Sequence, residues 1–407
     1  MKKIIITFLL IILLTIPVNA LETPKTVGFG NFSTFKGIDG IYVNPATVNL
    51  DKNKFNFKMA VNGGFDNNLL RNEYISEDIK DDLLESIENS GWVIQLKGKE
   101  GLNLTLGPVG IFSNMREEGN LKFNPDVAEI ILAGNQTEAV YSLENSFGNG
   151  AVYNDTGINF SYKIPENVIK STNSNLQFSN VNIGLNYRFL TGAIFNMEAS
   201  GDAEIGYTES GEPTFSGTGE FLLKHNDFEN INGIENLATG SAFDIGVYGD
   251  YNKDISLGFS IMNLGSLSLD EYKYEKYKFD SEAEEVFDLV EEGIKKDEVK
   301  YKLPRKINIG GEYDWREDVT LLFNYTNISY NHFNDNKISA GAEYNRFKYI
   351  PFRLGAEYST LNDDLKLRTG LGIYLGTWKT EIGISDIKGL FNKSQGLEFG
   401  MSSGFSF

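Results

Sequence analysis

"GLEFGMSSGFSF" occupies residues 396–407, the last stretch of the sequence. Side chains on a β-strand point alternately to opposite faces, so the stretch divides into two sets. The first set is almost entirely apolar and consists of Leu397, Phe399, Met401, Ser403, Phe405 and Phe407. The second set contains only glutamate, glycine and serine. This alternation predicts a β-strand with one apolar face and one small or polar face.

Eight further segments with the same period of two precede this strand. They are separated by turn residues, which predicts a series of antiparallel strands. The segments cover residues 243–252, 254–265, 305–315, 318–327, 336–347, 351–360, 365–376 and 378–387. The second half of the chain is therefore predicted to be a continuous antiparallel sheet.

The connections between these strands alternate in length. If the last strand ends on the periplasmic side, the links near 250–254, 315–318, 345–350 and 376–377 lie there, and all four are short. Every longer link then lies on the opposite side, and these are 265–302, 328–336, 360–364 and 387–395. Short periplasmic turns and longer extracellular loops are typical of outer-membrane β-barrels.

The composition agrees with a transmembrane β-barrel. Aromatic residues make up 13% of the chain, which has 42 Gly, 9 Pro and no Cys. No apolar run after residue 20 is long enough for a transmembrane helix. Because lipid offers no hydrogen bonds to an open sheet edge, strands that span it must close into a barrel. The alternative is an exported β-sandwich, which would have to bury the apolar strand faces against a second sheet.

The number of strands depends on the less regular first half. Residues 55–63 form a clear alternating strand, and the further candidates are 92–97, 102–112, 156–164, 181–191, 198–207 and 214–223. If the first strand enters from the periplasm, an odd number of strands must precede Phe243. Five gives fourteen strands and seven gives sixteen. We predict an all-β, antiparallel barrel of about fourteen strands, with sixteen as the alternative.

Three insertions have apolar residues at helical spacing. They cover residues 76–90, 124–146 and 280–296. The third begins with Ser281 and Glu284, the pattern of a capping box. The spacing predicts helices in the loops, placed at the extracellular rim or in the lumen.

The first twenty residues have the features of a cleaved signal peptide. Lys2 and Lys3 precede an apolar run at 4–17, and small residues lead to a cleavage site after Ala20. A membrane anchor is the alternative, but the run is short for a span. We therefore predict export through a signal peptide at 1–20 and location in the outer membrane.

No catalytic, metal or cofactor site is predicted. The two histidines, His225 and His332, are far apart, and no G-x-S-x-G motif is present. The formal net charge of −19 disfavours nucleic acid as a partner. We predict that the protein is not an enzyme and carries no cofactor or metal.

A weak repeat runs through the strands of the second half. "IGGEY" (309–313), "AGAEY" (340–344) and "LGAEY" (354–358) share one form. The period of two places the glycine and the glutamate on one face and the tyrosine on the other. The tyrosine lies at a strand end, where an aromatic girdle is expected.

The stretch "GFGNFSTFKGIDGIYVNPATVNL" (28–50) precedes the first strand. Its features are four glycines and an Asn-Pro-Ala box, namely Gly28, Gly30, Gly37, Gly40, Asn44, Pro45 and Ala46. This pattern resembles the N-terminal signature of the outer-membrane long-chain fatty-acid transporter (FadL-like) superfamily. Members linked to protein secretion share it, and a branch of uncharacterised exported barrels is the most similar. A simpler interpretation is that Asn44-Pro45 forms the turn that starts the first strand.

The resemblance implies an architecture and a function. It implies residues 21–50 folded into the lumen as a plug, and residues 51–407 forming a fourteen-strand barrel. The implied function is passage of small hydrophobic solutes across the outer membrane. The alternative is a non-transport accessory or scaffold barrel in protein secretion or envelope assembly. A general porin is disfavoured by the plug-like N-terminus.

The end of the chain carries a second resemblance. Phe405 and Phe407 resemble the C-terminal signal that the barrel-assembly machinery reads in outer-membrane barrels. The implied partners are therefore this machinery, outer-membrane lipid and a hydrophobic small molecule.

Overall fold

The computed structural model describes most of the chain. The described residues are 23–71, 77–88, 90–133, 139–172, 178–207, 213–227, 236–280, 287–347, 349–391 and 394–407. The predicted signal peptide at 1–20 and the capping box of Ser281 and Glu284 lie outside them.

Strands dominate these residues. The strands are β1 (Phe55–Asn67), β2 (Trp92–Leu106), β3 (Val109–Phe123), β4 (Ala139–Ser142), β5 (Ser146–Lys163), β6 (Ser179–Tyr207), β7 (Pro213–His225), β8 (Ala238–Asp250), β9 (Ile255–Leu269), β10 (Tyr272–Asp280), β11 (Phe287–Lys295), β12 (Val299–Lys302), β13 (Arg305–Arg316), β14 (Val319–Ser329), β15 (Asn334–Tyr344), β16 (Phe352–Ser359), β17 (Asp364–Leu375), β18 (Trp378–Ile384) and β19 (Gly396–Ser406). The α-helices are α1 (Pro24–Phe29), α2 (Glu77–Ile87), α3 (Pro125–Ala133) and α4 (Glu166–Thr172). Short 3₁₀ helices cover Gly37–Tyr42, Pro45–Leu50 and Ile387–Leu390.

Fourteen of these strands close into one antiparallel barrel. They are β1, β2, β3, β5, β6, β8, β9 and β13 to β19, each paired with the next in chain order. The ring closes where β1 pairs with β19, from Asn56 opposite Ser406 to Asp66 opposite Gly396. The predicted fold class and the strand number of fourteen are confirmed.

The strands of the first half differ from the predicted segments. The candidate at 102–112 is wrong, because the chain turns at Gly107 and Pro108 between β2 and β3. Gly107 has a φ of +56°, a left-handed conformation that glycine adopts without steric cost. The candidates at 181–191 and 198–207 are one long strand, β6. The candidate at 214–223 forms β7, which extends β6 outside the barrel.

The predicted helix at 76–90 is confirmed as α2, and the one at 124–146 is confirmed only for Pro125–Ala133, which is α3, because Ala139–Ser142 forms β4. Helices α2 and α3 pack together through a cluster that includes Leu83 and Ala128. The third prediction is wrong, because residues 287–295 form β11 and pair with β10. Cross-strand pairs such as Lys278 opposite Asp288 join opposite charges, and the sheet of β6, β7 and β10 offers a template. This tertiary pairing outweighs the local helical spacing.

The outward face of the barrel is apolar. Met59, Ile309 and Phe323 are 53%, 52% and 55% exposed, while their neighbours along each strand point into the barrel and are buried. A closed barrel with an apolar outer band is suited to a lipid bilayer. No helix among the described residues is long and apolar enough to cross a membrane. The apolar outer band marks the part of the barrel that lies in the membrane, and the shorter turns mark its periplasmic end.

Backbone hydrogen bonds at the C-terminus complete the ring. The Phe55 N–H donates to Phe407 O at 3.2 Å, and the Phe407 N–H donates to Phe55 O at 2.9 Å. The two aromatic rings also pack, with centroids 5.9 Å apart. The last residue of the chain thus pairs with the first residue of β1.

We expect deletion of Phe407 to impair assembly of the barrel, because the edges of β1 and β19 lose their last hydrogen bonds. Migration of boiled and unboiled samples on a gel measures the folded fraction. The control is Phe391→Ala, which removes a phenylalanine 80% exposed in a loop. Equal folded fractions for the deletion and the intact chain would contradict this prediction.

Candidate functional site in the barrel lumen

The N-terminal segment (residues 23–51) runs across the inside of the barrel. Helix α1 contacts β16, β17, β18 and β19, whereas the 3₁₀ helix Pro45–Leu50 contacts β3, β5, β6 and β8. These two groups of strands lie on opposite sides of the ring. Phe29, Phe32 and Phe35 of the segment are almost completely buried and form one aromatic cluster. The segment therefore spans the lumen from wall to wall.

Inward-facing glycines allow this segment to approach the wall closely. A Cβ atom built on Gly28 of the segment would lie 2.7 Å from Gly383 Cα and 2.8 Å from Gly370 Cα. The wall glycines at which a Cβ atom would overlap the backbone of the segment are Gly184, Gly258, Gly355 and Gly383, and those at which it would overlap a side chain of the segment are Gly246, Gly310 and Gly341. Only glycine leaves room for backbone to meet backbone at such distances. Three of these glycines belong to the repeats at 309–313, 340–344 and 354–358.

The glycines singled out in the segment have different surroundings. Gly30 ends α1 with a φ of +117°, and its N–H donates to Thr26 O at 2.8 Å. Gly40 lies against the side chain of Thr47, where a Cβ atom would overlap the hydroxyl. Gly28 lies between β17 and β18, as described above.

The Asn44-Pro45-Ala46 box lies at the wall of β6 and β8. The Asn44 Nδ2 donates to Ser33 O at 2.8 Å and to Val247 O at 3.0 Å. Its Oδ1 accepts from the Ala46 N–H at 3.1 Å, so the side chain caps the 3₁₀ helix that begins at Pro45. Asn44 is therefore bonded both to its own segment and to the barrel, which goes beyond a simple turn.

Ion pairs join the segment to the barrel at separate points. Lys58 Nζ on β1 lies 2.7 Å from Asp39 Oδ1 and 2.6 Å from Glu381 Oε2, and all three side chains are buried. Lys36 Nζ lies 2.7 Å from Glu312 Oε1 on β13. Burial lowers the pKa of the Lys36 ammonium, but the Glu312 carboxylate outweighs this effect and the net pKa is raised.

The glutamates of the three repeats all point into the lumen and pair with cations. Glu312 pairs with Lys36, Glu343 pairs with Arg353, and Glu357 pairs with Arg368. Arg368 also donates from Nη1 to Val27 O of the segment at 2.9 Å. Each repeat therefore combines a glycine that makes room for the segment with a glutamate that takes part in its charged surroundings.

A polar layer lies beside the segment on β5, β6 and β8. Arg188 bonds to Asp155 through Nε at 2.9 Å and through Nη2 at 2.8 Å, and its Nη1 lies 3.3 Å from Asp244. Asn186 donates to Ile41 O of the segment at 2.8 Å. The sequence analysis missed these residues. The one sign of this layer in the sequence is a charged residue at an inward-facing position of a strand whose residues otherwise alternate between apolar and polar.

Above this layer, one side of the lumen is apolar. We call it the apolar wall, and its members are Ala151, Tyr153, Leu190, Ile194, Ala238, Ala242, Leu267, Leu269, Tyr272, Val299, Tyr301 and Leu303. The hydroxyls of Tyr153 and Tyr301 both donate to the Glu118 carboxylate, at 2.6 and 2.8 Å. Glu118 thereby ties β3 to β12 across this part of the lumen.

The loop at residues 330–333, between β14 and β15, crosses the extracellular mouth. The His332 ring packs on Phe147 of β5 with centroids 3.9 Å apart, and Tyr330 reaches Gln95 of β2. β5 and β2 lie on the far side of the ring from this loop. Burial lowers the pKa of the His332 imidazole, so the contact favours the neutral ring. Two obstructions thus lie in series, the loop at the mouth and the N-terminal segment below it.

No protein-family model matches the sequence, and no curated protein matches it. Solved structures do match over nearly their whole length. The toluene transporter TbuX of Ralstonia pickettii has a TM-score of 0.54 at 10% identity, with 96% of this chain and 99% of that chain covered. The chain has the fold of this channel. The CymD monoaromatic hydrocarbon channel follows with a TM-score of 0.56 at 13% identity, covering 96% and 99%.

A third match is a FadL homologue of Pseudomonas aeruginosa. Its TM-score is 0.54 at 11% identity, with 95% of this chain and 98% of that chain covered. At such identities the likeness establishes a shared FadL-type fold. The roles of individual residues rest on the geometry of this chain.

We expect Gly355→Val to displace the N-terminal segment, because the new side chain would overlap the backbone of Phe29. Overpacking of this kind costs about 1–3 kcal/mol, which favours states in which the segment leaves the wall. Single-channel conductance in planar bilayers should rise. The matched control is Gly311→Val on a neighbouring repeat. The atom nearest to an added Cβ there is a side-chain atom of Leu257, at 3.3 Å. Equal conductance of the two variants would contradict the prediction.

We expect Lys58→Met to destabilise the protein by about 3 kcal/mol, because it leaves Asp39 charged in the lumen without a cation. Glu381 keeps Arg353 at 3.0 Å, so Asp39 is the carboxylate affected most. Guanidinium unfolding of the reconstituted protein measures the change. The double variant Lys58→Met/Asp39→Asn should recover most of the loss. No recovery would show that the Lys58–Asp39 pair is not the cause.

Proposed function

We propose that the protein is an outer-membrane channel for small hydrophobic solutes, in which the N-terminal segment acts as a plug. The apolar wall carries this proposal. It lies between the extracellular mouth and the segment on the inner side of β5, β6, β8 and β9, and its members are buried against one another. Where these side chains part, an apolar solute gains free energy by leaving water for them, whereas ions and polar solutes do not.

The charges on the opposite side of the lumen support the same route. Lys337, Glu357, Lys366 and Arg368 are all nearly inaccessible to solvent and paired with one another or with Asp66. Because these charges are already neutralised, that side offers little to a free ion. The apolar wall is then the side along which a solute travels.

The solved structures that are similar to this chain also support the proposed function. One is described as a toluene transporter and another as a monoaromatic hydrocarbon channel. Monoaromatic hydrocarbons are small apolar molecules, and they are our first candidates for the solute of this protein.

Transport requires that both obstructions move. The loop at 330–333 is held at the mouth by the packing of His332 on Phe147 and by the bond between Tyr330 and Gln95, which are few contacts. The segment is held by backbone contacts, ion pairs and the Asn44 side chain, which are stronger together. We therefore assign the role of a lid to the loop and the role of a plug to the segment that includes Gly28, Gly30, Gly40 and the 44–46 box.

Uptake into liposomes whose outer leaflet is lipopolysaccharide tests the proposal, because that leaflet slows passive entry of apolar solutes. The intact protein should accelerate entry of toluene over protein-free liposomes while conducting few ions. Deletion of residues 23–50 should add a large ion conductance. If the intact protein accelerates no entry and the deletion conducts no ions, the channel function is wrong.

We expect Phe147→Ala to increase the rate of toluene uptake by about two- to tenfold, because an aromatic contact of about 0.5–1.5 kcal/mol holds the loop closed. Lowering the pH should act in the same direction. The closed loop binds the proton on His332 less well than the open loop, so the closed state loses stability as the pH falls. An unchanged uptake rate in Phe147→Ala at every pH would show that the loop is not a lid.

The alternative function is an accessory or scaffold barrel. One observation favours it, the sheet of β7, β10 and β11 that extends from β6 beyond the barrel. A solute route along the apolar wall does not need β11. Removal of residues 281–295 with retention of toluene uptake would separate the two functions.

A further inference from the structure

A large groove lies on the outer surface of the barrel, separate from the lumen. It spans β19, β1, β2, β3, β5 and β6 and has a volume of about 780 Å³. Its sides carry Met59, Leu102, Met115 and Met401, which point towards lipid. A volume of this size suits a small-molecule ligand.

Small residues lie behind the groove. Ser402, Ala60 and Gly101 lie side by side on three adjacent strands, in register, with Ala60 opposite each of the other two. They face the lumen, so the wall has little side-chain bulk behind it at this level. All three contribute to the lining of the groove.

The groove contains polar groups that an ordinary lipid-facing surface lacks. Ser113 hydrogen-bonds to Asn154 at 3.3 Å and to Thr156 at 3.0 Å on the outer face. Glu100 also points outward, between Val61 of β1 and Met115 of β3. Within the described part of the chain Glu100 makes no hydrogen bond and no ion pair.

Glu100 lies within the apolar band rather than at its edge. Leu102, Leu104 and Leu106 lie on its periplasmic side along β2, and Leu96 lies on its extracellular side. Leu106 lies six positions further along β2, which places Glu100 about 15 Å above the periplasmic edge of a band about 25 Å tall. A carboxylate at that depth is costly unless a cation or donor meets it.

We propose that this groove binds an amphiphilic amine, with the apolar body between the methionines and the ammonium group on Glu100. The charge of the carboxylate selects a cation, and the flexible methionine side chains fit apolar bodies of different shapes. The ammonium group satisfies Glu100, and the hydroxyl and amide of Ser113 and Asn154 offer further hydrogen bonds.

Other occupants fit the groove less well. No lysine or arginine points outward from the membrane-embedded parts of these six strands in the described residues, because Lys58, Lys99, Arg116 and Arg188 all face the lumen. A second copy related by a two-fold axis would therefore bring no cation to Glu100. The amino groups of lipids stay at the membrane interface, which lies above or below Glu100.

Photo-crosslinking of the full chain in phosphatidylethanolamine–phosphatidylglycerol nanodiscs tests the proposal. The probes are three diazirine-labelled dodecyl chains that end in an amine, an alcohol or a carboxylate. The amine should label the groove peptides around Met59 and Met115 roughly tenfold more than the carboxylate, a difference of about 1.4 kcal/mol. Equal labelling by all three probes would overturn the proposal.

Two variants make the test specific. Glu100→Gln should abolish the preference for the amine without reducing labelling by the alcohol. Glu204→Gln, at an exposed position far along β6, is the matched control and should change nothing. An unchanged preference in Glu100→Gln, or crosslinks between two copies through Met115, would overturn the proposal. The crosslinking readout does not depend on solute uptake, so this test of the amine site is independent of the proposed channel function.

Discussion

The pairing of β1 with β19 is the constraint on which the rest of the structure depends. Strands in lipid have no other partner for their backbone N–H and C=O groups, so the sheet must close on itself. Eleven residue pairs, from Asn56–Ser406 to Asp66–Gly396, make that closure. Once it is made, alternate side chains of all fourteen strands converge on one interior. What fills that interior then decides whether the barrel is open.

The N-terminal segment fills it with backbone as much as with side chains. Gly258 and Gly355 of the wall bring the barrel within contact of the main chain at Ser33 and Phe29, and Gly341 makes room for the Phe29 ring. Buried polar backbone groups need partners, and Asn44, Asn186 and Arg368 supply them. The same interior holds paired charges, which specify the position of the segment more than they add to stability.

The sequence predicted the barrel well because its signal is local and repeated. Alternation in strands such as 319–329 follows from lipid on one side and a polar interior on the other, and it is visible in a single strand. The error at 102–112 was a missed local turn at Gly107 and Pro108. The error at 280–296 arose because the deciding contact is distant in sequence. The apolar residues of 287–295 have helical spacing, yet Tyr272–Asp280 and the extension of β6 offer a sheet edge for this segment to pair with. The sequence within 287–295 does not indicate that this edge is present.

The lumen was less predictable for the same reason. Asp155 and Arg188 are ordinary charged residues in the sequence, and their significance arises only when β5 and β6 bring them together. The contact of His332 with Phe147 joins residues on opposite sides of the ring. By contrast the 44–46 box was visible, because its cap and turn are local, although its bond to Val247 was not.

The repeats at 309–313, 340–344 and 354–358 show how one short motif can serve two surfaces. Their tyrosines point to lipid, where an aromatic ring near a strand end suits the interface. Their glycines and glutamates point inward, where the glycine admits the N-terminal segment and the glutamate balances a cation. The motif therefore has to satisfy both sides of the wall at once. This explains why it recurs on β13, β15 and β16, which line the side of the lumen where residues 29–36 of the segment lie.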